Sequence, residues 1–203
     1  MRTKTWFFLF AFLLCSFTMF SQKEETLLGN RSWGFSGIWG GYNHQYTQFG
    51  ATEAYNRGGF FGFEFGKSLT LGWGHYQLDH EFNWGTTDKS FDARFNVAKV
   101  GYAFIPYIAI HPPLNVDFGR GWIDLGDQRD RVVVIQPAVG VEFNVFRWFR
   151  VGLEGGYRFI NDSTLPAISD EDLSGLFAQA SLKFGFSWGR YHKRSEVKKN
   201  DED

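Results

Sequence analysis

The stretch RWFRVGLEGGYRFI, Arg147 to Ile160, interleaves two kinds of side chain. Arg150, Gly152, Glu154, Gly156 and Arg158 take alternate positions, and Phe149, Val151, Leu153, Tyr157 and Phe159 take most of the others. Glu142, Lys183, Lys99 and Glu64 fall on the matching small-residue phase of their own segments. If that phase faces a narrow interior, cations and carboxylates must pair there, because an unpaired buried charge is strongly destabilising. A short turn near residue 146 brings Glu142 within diagonal reach of Arg150 or Glu154. The chemistry expected of these seven residues is mutual neutralisation, a lumen charge network.

Few other residues offer reaction chemistry. Asp79, His80 and Glu81 lie together in LDHEF, where a histidine between carboxylates has the form of a general base. No serine or other nucleophile stands at a spacing that completes such a site, so the trio is a weak candidate loop site and no catalytic residue is assigned. GFEFGKS, Gly62 to Ser68, approaches a nucleotide-binding loop, but it is one residue short and no helical pattern follows, so it is read as a tight turn. Asp124, Asp127 and Asp130, and Asp170, Glu171 and Asp172, enrich two connections in oxygen ligands, but their spacing matches no calcium loop. No cofactor and no metal is expected.

Composition narrows the class. The 21 basic and 22 acidic residues give no reason to expect nucleic acid as a partner. Aromatic residues make up 20% of the chain and glycines number 24, both high for a water-soluble protein. Arg2 and Lys4 precede an apolar run from Trp6 to Phe20, then Ser21 and Gln22, the order of a secretory leader. Residues 1–21 are therefore expected to be a cleaved signal peptide, which removes Cys15, the single cysteine.

Beyond residue 30, period-two alternation recurs without helical periodicity. Eight strands are expected: Trp33 to Asn43, Gly58 to Gly66, Leu69 to Leu78, Phe95 to Ile108, Leu114 to Trp122, Val132 to Val145, Phe149 to Ile160 and Leu176 to Trp188. Polar connections at 44–57, 79–94, 123–131 and 161–173 alternate with short turns at Lys67 and Ser68, around His111 to Pro113, and at Phe146 and Arg147. Arg120 falls on the apolar phase between Phe118 and Trp122, where a rim position or a bulge would account for it.

An eight-stranded barrel has an interior just wide enough for side chains to fill. Stacks of Phe, Leu and Val from every strand would overfill it, so the glycine and charged phase points inward. The apolar phase then meets hydrocarbon, the one solvent that accepts so much exposed apolar surface.

The leader, the eight amphipathic strands, the RWFRVGLEGGYRFI strand and the closing LFAQASLKFGFSWG strand resemble the small eight-stranded outer-membrane barrels related to the transmembrane domain of outer membrane protein A. The resemblance covers residues 31–188. It implies an all-β, up-and-down transmembrane barrel inserted by the barrel insertion machinery, with short periplasmic turns and long extracellular loops. In that family an aromatic residue usually ends the chain. Phe186 and Trp188 fit, but residues 189–203 follow and are expected to be a charged periplasmic tail. The expected function is non-enzymatic: a structural or surface-interaction role in the bacterial outer membrane, with lipid and lipopolysaccharide as partners and the lumen closed by an ionic plug. The alternatives are a lipid-modifying enzyme and a narrow ion-conducting pore.

Overall fold

The computed structural model describes residues 34–85, 88–166 and 168–188. The expected leader and the charged tail lie outside the described residues. Strands β1 (Phe35–Phe49), β2 (Thr52–Phe65), β3 (Leu69–Leu78), β5 (Ser90–Ala103), β7 (Pro113–Leu125), β8 (Gln128–Phe146), β9 (Phe149–Asn161) and β10 (Gly175–Ser187) form the wall. Two short pieces, β4 (Phe82–Asn83) and β6 (Ile110–His111), pair with β5 and β8. Each wall strand runs antiparallel to its sequence neighbour; β1 pairs β10 and β3 pairs β5, which closes an eight-stranded barrel. Among the described residues no helix is long and apolar enough to cross a membrane. A single helical turn, α1 (Asp170–Leu173), begins at a Ser169–Asp172 capping box.

One end of the barrel carries both described chain ends and the tight turns at Gly66–Ser68 and Arg147–Trp148; we call it the turn end. The other, the hairpin end, carries the long outer connections, two of which are paired strand rather than loop. Residues 44–57 continue β1 and β2 in register up to Phe49↔Thr52, and residues 123–131 continue β7 and β8 up to Leu125↔Gln128. The sequence there is polar on both faces, as in His44, Gln45, Tyr46 and Thr47, so alternation could not mark it as strand. At the turn end, β5 stops at Ala103, Phe104 to Ala109 form the connection, and His111 is a strand residue opposite Glu142. Pro112 and Pro113 lack backbone N–H groups, so the ladder breaks between β6 and β7 instead of turning there.

Strand length exceeds what a membrane needs. A tilted spanning strand requires about 9–11 residues, whereas β1 has 15 and β8 has 19. The surplus protrudes at the hairpin end, and there the two faces exchange character. Along β7, Val116 and Phe118 face out and Asp117 faces in; further on, Arg120 faces out while Ile123 and Leu125 are fully enclosed. On β5, Val100 is outward and Lys99 inward, but Arg94 is outward and Phe95 inward. On β8, Ile135 and Gln136 give way to Arg131 and Val132 in the same manner. Arg120 therefore needs no bulge: β7 stays in unbroken register with β5 and β8, and Arg120 is the first outward residue of the exchanged phase.

Candidate functional site

The lumen is filled in three layers. At the turn end the carboxylate of Glu142 holds three cationic or imidazole groups. Lys183 Nζ lies 2.6 Å from its Oε2, Arg150 Nη1 3.3 Å from its Oε1, and His111 Nε2 3.4 Å from the same oxygen. Arg150 Nη2 reaches Glu64 at 3.3 Å, and Lys183 reaches Glu154 at 3.6 Å. Glu64 also accepts hydrogen bonds from the Ser36 and Ser187 hydroxyls, and Glu154 one from Gln179. The Arg150 guanidinium lies 3.7 Å from the centre of the Trp39 ring, a desolvated cation–π contact.

Register explains this meeting. Glu142 sits opposite Gly152, so Arg150 and Glu154 are its two diagonal neighbours across β8 and β9. Lys183 sits opposite Arg150 across β9 and β10. Glycines keep the space open: a Cβ on Gly41 would lie 2.6 Å from the Phe60 ring, which fills the lumen beside the ammonium groups of Lys99 and Lys183.

Above this cluster is an amide and hydroxyl layer. Lys99 belongs here and does not join the Glu142 group; its ammonium pairs with Asp117 at 2.7 Å. Tyr76 donates to the same carboxylate at 2.7 Å and accepts from Asn43 at 3.1 Å. Asn56 donates to Gln45, which donates to Gln136. The network expected from alternation lacks Asp117 and His111. Asp117 was available, since the period-two count that sets Arg120 on the outer phase sets Asp117 on the inner one. His111 had no signal, because its strand is two residues long and is separated from β7 by prolines.

The hairpin end is sealed by hydrocarbon. Phe49, Phe91, Phe95, Ile123, Leu125, Val132, Val134 and Ile160 converge from five strands, and Leu165, Ile168 and Leu173 fold over them from the connection that carries α1. Apart from the Trp39 and Phe60 rings, the inner face is thus small and polar through its lower two layers. Arg158 stands in this apolar cap, remote in kind from the network to which its phase assigns it. It is fully buried, and its guanidinium donates to Leu173 O at 2.9 Å, Thr47 Oγ1 at 2.9 Å and Gln48 O at 2.8 Å, with no carboxylate partner among the described residues.

Among the described residues the loop trio gathers no catalytic partner. His80 Nδ1 lies 3.1 Å from Asp79, which is also paired with Arg57 at 3.0 Å, and its side chain is 88% exposed. Glu81 accepts from Ser90. Among the described residues no group of three His, Cys, Asp or Glu side chains could hold a metal ion.

Outside, the belt below the exchange is continuous hydrocarbon: Phe61, Phe63, Leu71, Trp73, Ile135 and Leu153 are all exposed, and Val139 is 62% so. A closed wall with this belt and a filled polar lumen defines a transmembrane β-barrel of the small outer-membrane class. The comparisons agree with that class. No family model and no curated protein matches the sequence. The fold is similar to Neisserial surface protein A, with a TM-score of 0.55 and 13% identity over 74% of this chain and 97% of that one. It is equally similar to the N-terminal β-barrel domain of OprF from Pseudomonas aeruginosa, with a TM-score of 0.55 and 13% identity over 75% and 98%.

Proposed function

We propose that the chain is an exported, non-enzymatic protein of the bacterial outer membrane, with a structural or surface-interaction role and a lumen closed to ions. The turn end then faces the periplasm, and the barrel wall that extends past the belt stands among the outer-leaflet headgroups. The observation that carries the reading is the filling of the lumen, from the Glu142 cluster through the Tyr76–Asp117–Lys99 layer to the Phe49–Phe91–Phe95 cap. An ion entering from the hairpin end would have to displace tightly packed aromatic rings and pass the buried Arg158 cation before reaching the polar layers. Planar-bilayer recording tests this: the intact protein should show no steady conductance. A steady conductance that changes when Glu142 or Arg150 is neutralised would sink it.

The enzyme alternative draws little from the site, since the His80 side chain is solvent-exposed and its contact among the described residues is Asp79. Mass spectrometry of lipid A with and without the gene addresses it directly. An acyl-chain change abolished by His80→Ala would replace the non-enzymatic reading.

A further inference from the structure

The exchange of phase leaves a particular surface on the outer wall where β5, β7 and β8 leave the apolar belt. The strand register places Asn96, Arg120 and Val133 side by side, and one rung further Arg94, Trp122 and Arg131. Arg120 is therefore a diagonal neighbour of both Arg94 and Arg131, with residue separations of roughly 7–8 Å, and Trp122 stands between the two upper arginines. One rung below lie Ala98, Phe118 and Ile135, all hydrocarbon.

The three arginines differ in what they already hold. Arg94 spends its Nε and Nη2 on Asp92, at 3.0 and 2.8 Å. Arg131 stacks on the Trp122 ring with its guanidinium carbon 5.8 Å from the ring centre. Arg120 makes no ion pair or side-chain hydrogen bond among the described residues, and both it and Arg131 are exposed. Of the acidic groups beside the patch, Asp92 is taken by Arg94, Asp124 by Arg129, and Asp130 accepts from the backbone N–H groups of Arg131 and Thr164. Two fork-shaped cations are thus left without carboxylates, directly above a hydrocarbon belt and beside a tryptophan at the boundary.

We propose that Arg120 and Arg131, framed by Trp122 and Asn96, bind a phosphate on the headgroup of an outer-leaflet glycolipid whose acyl chains lie along Phe118 and Ile135. This rests on the membrane placement proposed above. Guanidinium forks match phosphate oxygens bidentately. The belt below sets the height at which such a phosphate must sit, because a lipid with its chains on Phe118 and Ile135 brings its headgroup to the next two rungs. A lipid that satisfies both the belt and the cations is favoured over a free anion, which can use only the cations.

The test uses the full chain folded in detergent, with native mass spectrometry reading bound lipid. The probes are bisphosphorylated lipid A and the same lipid with both phosphates removed. Bisphosphorylated lipid A should bind, and affinity should fall by about fivefold for each arginine in Arg120→Gln, Arg131→Gln and the double variant. Phosphate-free lipid A should bind no better than the double variant does, and Arg57→Gln, on β2 and paired with Asp79 away from the patch, should behave as the unaltered protein. The single variants answer the question if the double variant does not fold. Equal binding of the two lipids, or an unchanged affinity on losing both arginines, would overturn the proposal. So would displacement of the lipid by millimolar inorganic phosphate, which would make this a free-anion site. Heat-modifiable gel mobility is measured on the same samples and reports the barrel itself, so failure of the membrane reading is distinguishable from failure of the lipid site.

Discussion

The Arg158 guanidinium lies 3.9 Å from the centre of the Phe49 ring. A fully buried cation on an aromatic face, holding two backbone carbonyls and a hydroxyl instead of a carboxylate, is a fastening between the rim of the barrel and the connection over its mouth. Leu173 O belongs to α1 and Gln48 O to the end of β1, so one side chain ties both to β9.

Removing that fastening should free the cap connection. Arg158→Met keeps much of the side-chain volume and loses three charge-assisted hydrogen bonds, each worth about 1.5–3 kcal/mol before relaxation. The expected outcome is faster cleavage near Asp170–Asp172 by a protease specific for acidic residues, with the barrel still heat-modifiable. Unchanged cleavage would mean the cap holds by packing alone.

The cap should carry stability without carrying insertion. Phe91→Ala leaves a cavity in a fully enclosed cluster and is expected to cost about 3–5 kcal/mol, read by urea unfolding in lipid vesicles. Val139→Arg, in the middle of the outward apolar run of β8, should cost about 2–4 kcal/mol for a different reason, the exposure of a charge to hydrocarbon. Arg120→Leu should be nearly neutral in the same assay. A cost for Arg120→Leu as large as that for Val139→Arg would move the membrane boundary away from the exchange of phase.

Glu142 is the hub of the lower layer. Glu142→Gln leaves Lys183 and Arg150 short of a counter-charge and should destabilise by about 3–5 kcal/mol. Combining it with Lys183→Met should recover part of that loss, since the orphaned ammonium goes with it. Neither variant should conduct, because the apolar cap is untouched. A double-mutant cycle with no coupling would show that the two groups do not act as a pair.

Asp130 gives the hairpin end a dependence on acidity. Burial acts to raise its carboxyl pKa, but backbone N–H groups of Thr164 and Arg131 outweigh this and hold it below the ordinary value of 3.8. A lowered folded value means the contribution is present above the ordinary value and lost as pH falls through the lower one. Protection of residues 162–166 in amide exchange should therefore hold down to about pH 4 and fall below it. Asp130→Asn should show weak protection at every pH.

Much of the wall was legible because alternation is local. Ile135 against Gln136, or Leu182 against Lys183, needs no knowledge of the rest of the chain to separate two faces. The strand ends were less legible, and the reason lies in Phe95 and Lys99. They share one face, yet one belongs to the cap and the other to the polar layer, so the pattern looks broken where the strand continues. In the candidate site, Glu142, Arg150 and Glu154 could be set near one another from a single turn. Lys99 and Arg158 could not be sorted from them: Asp117 could be placed on the inner face, but the long connection between β5 and β7 hides its register with Lys99, and Leu173 reaches Arg158 from α1.

The sequence alone determined the number of wall strands, the face of each that is hydrocarbon and the glycine-lined phase that carries the charges. These follow from a period of two and from the volume of an eight-stranded interior. Only the tertiary structure decided how far each strand runs, where its faces exchange character, and which charges meet. A side chain's solvent depends on its height along the barrel axis and on what folds over the mouth. Both are set by closure of the whole wall, which no single segment encodes.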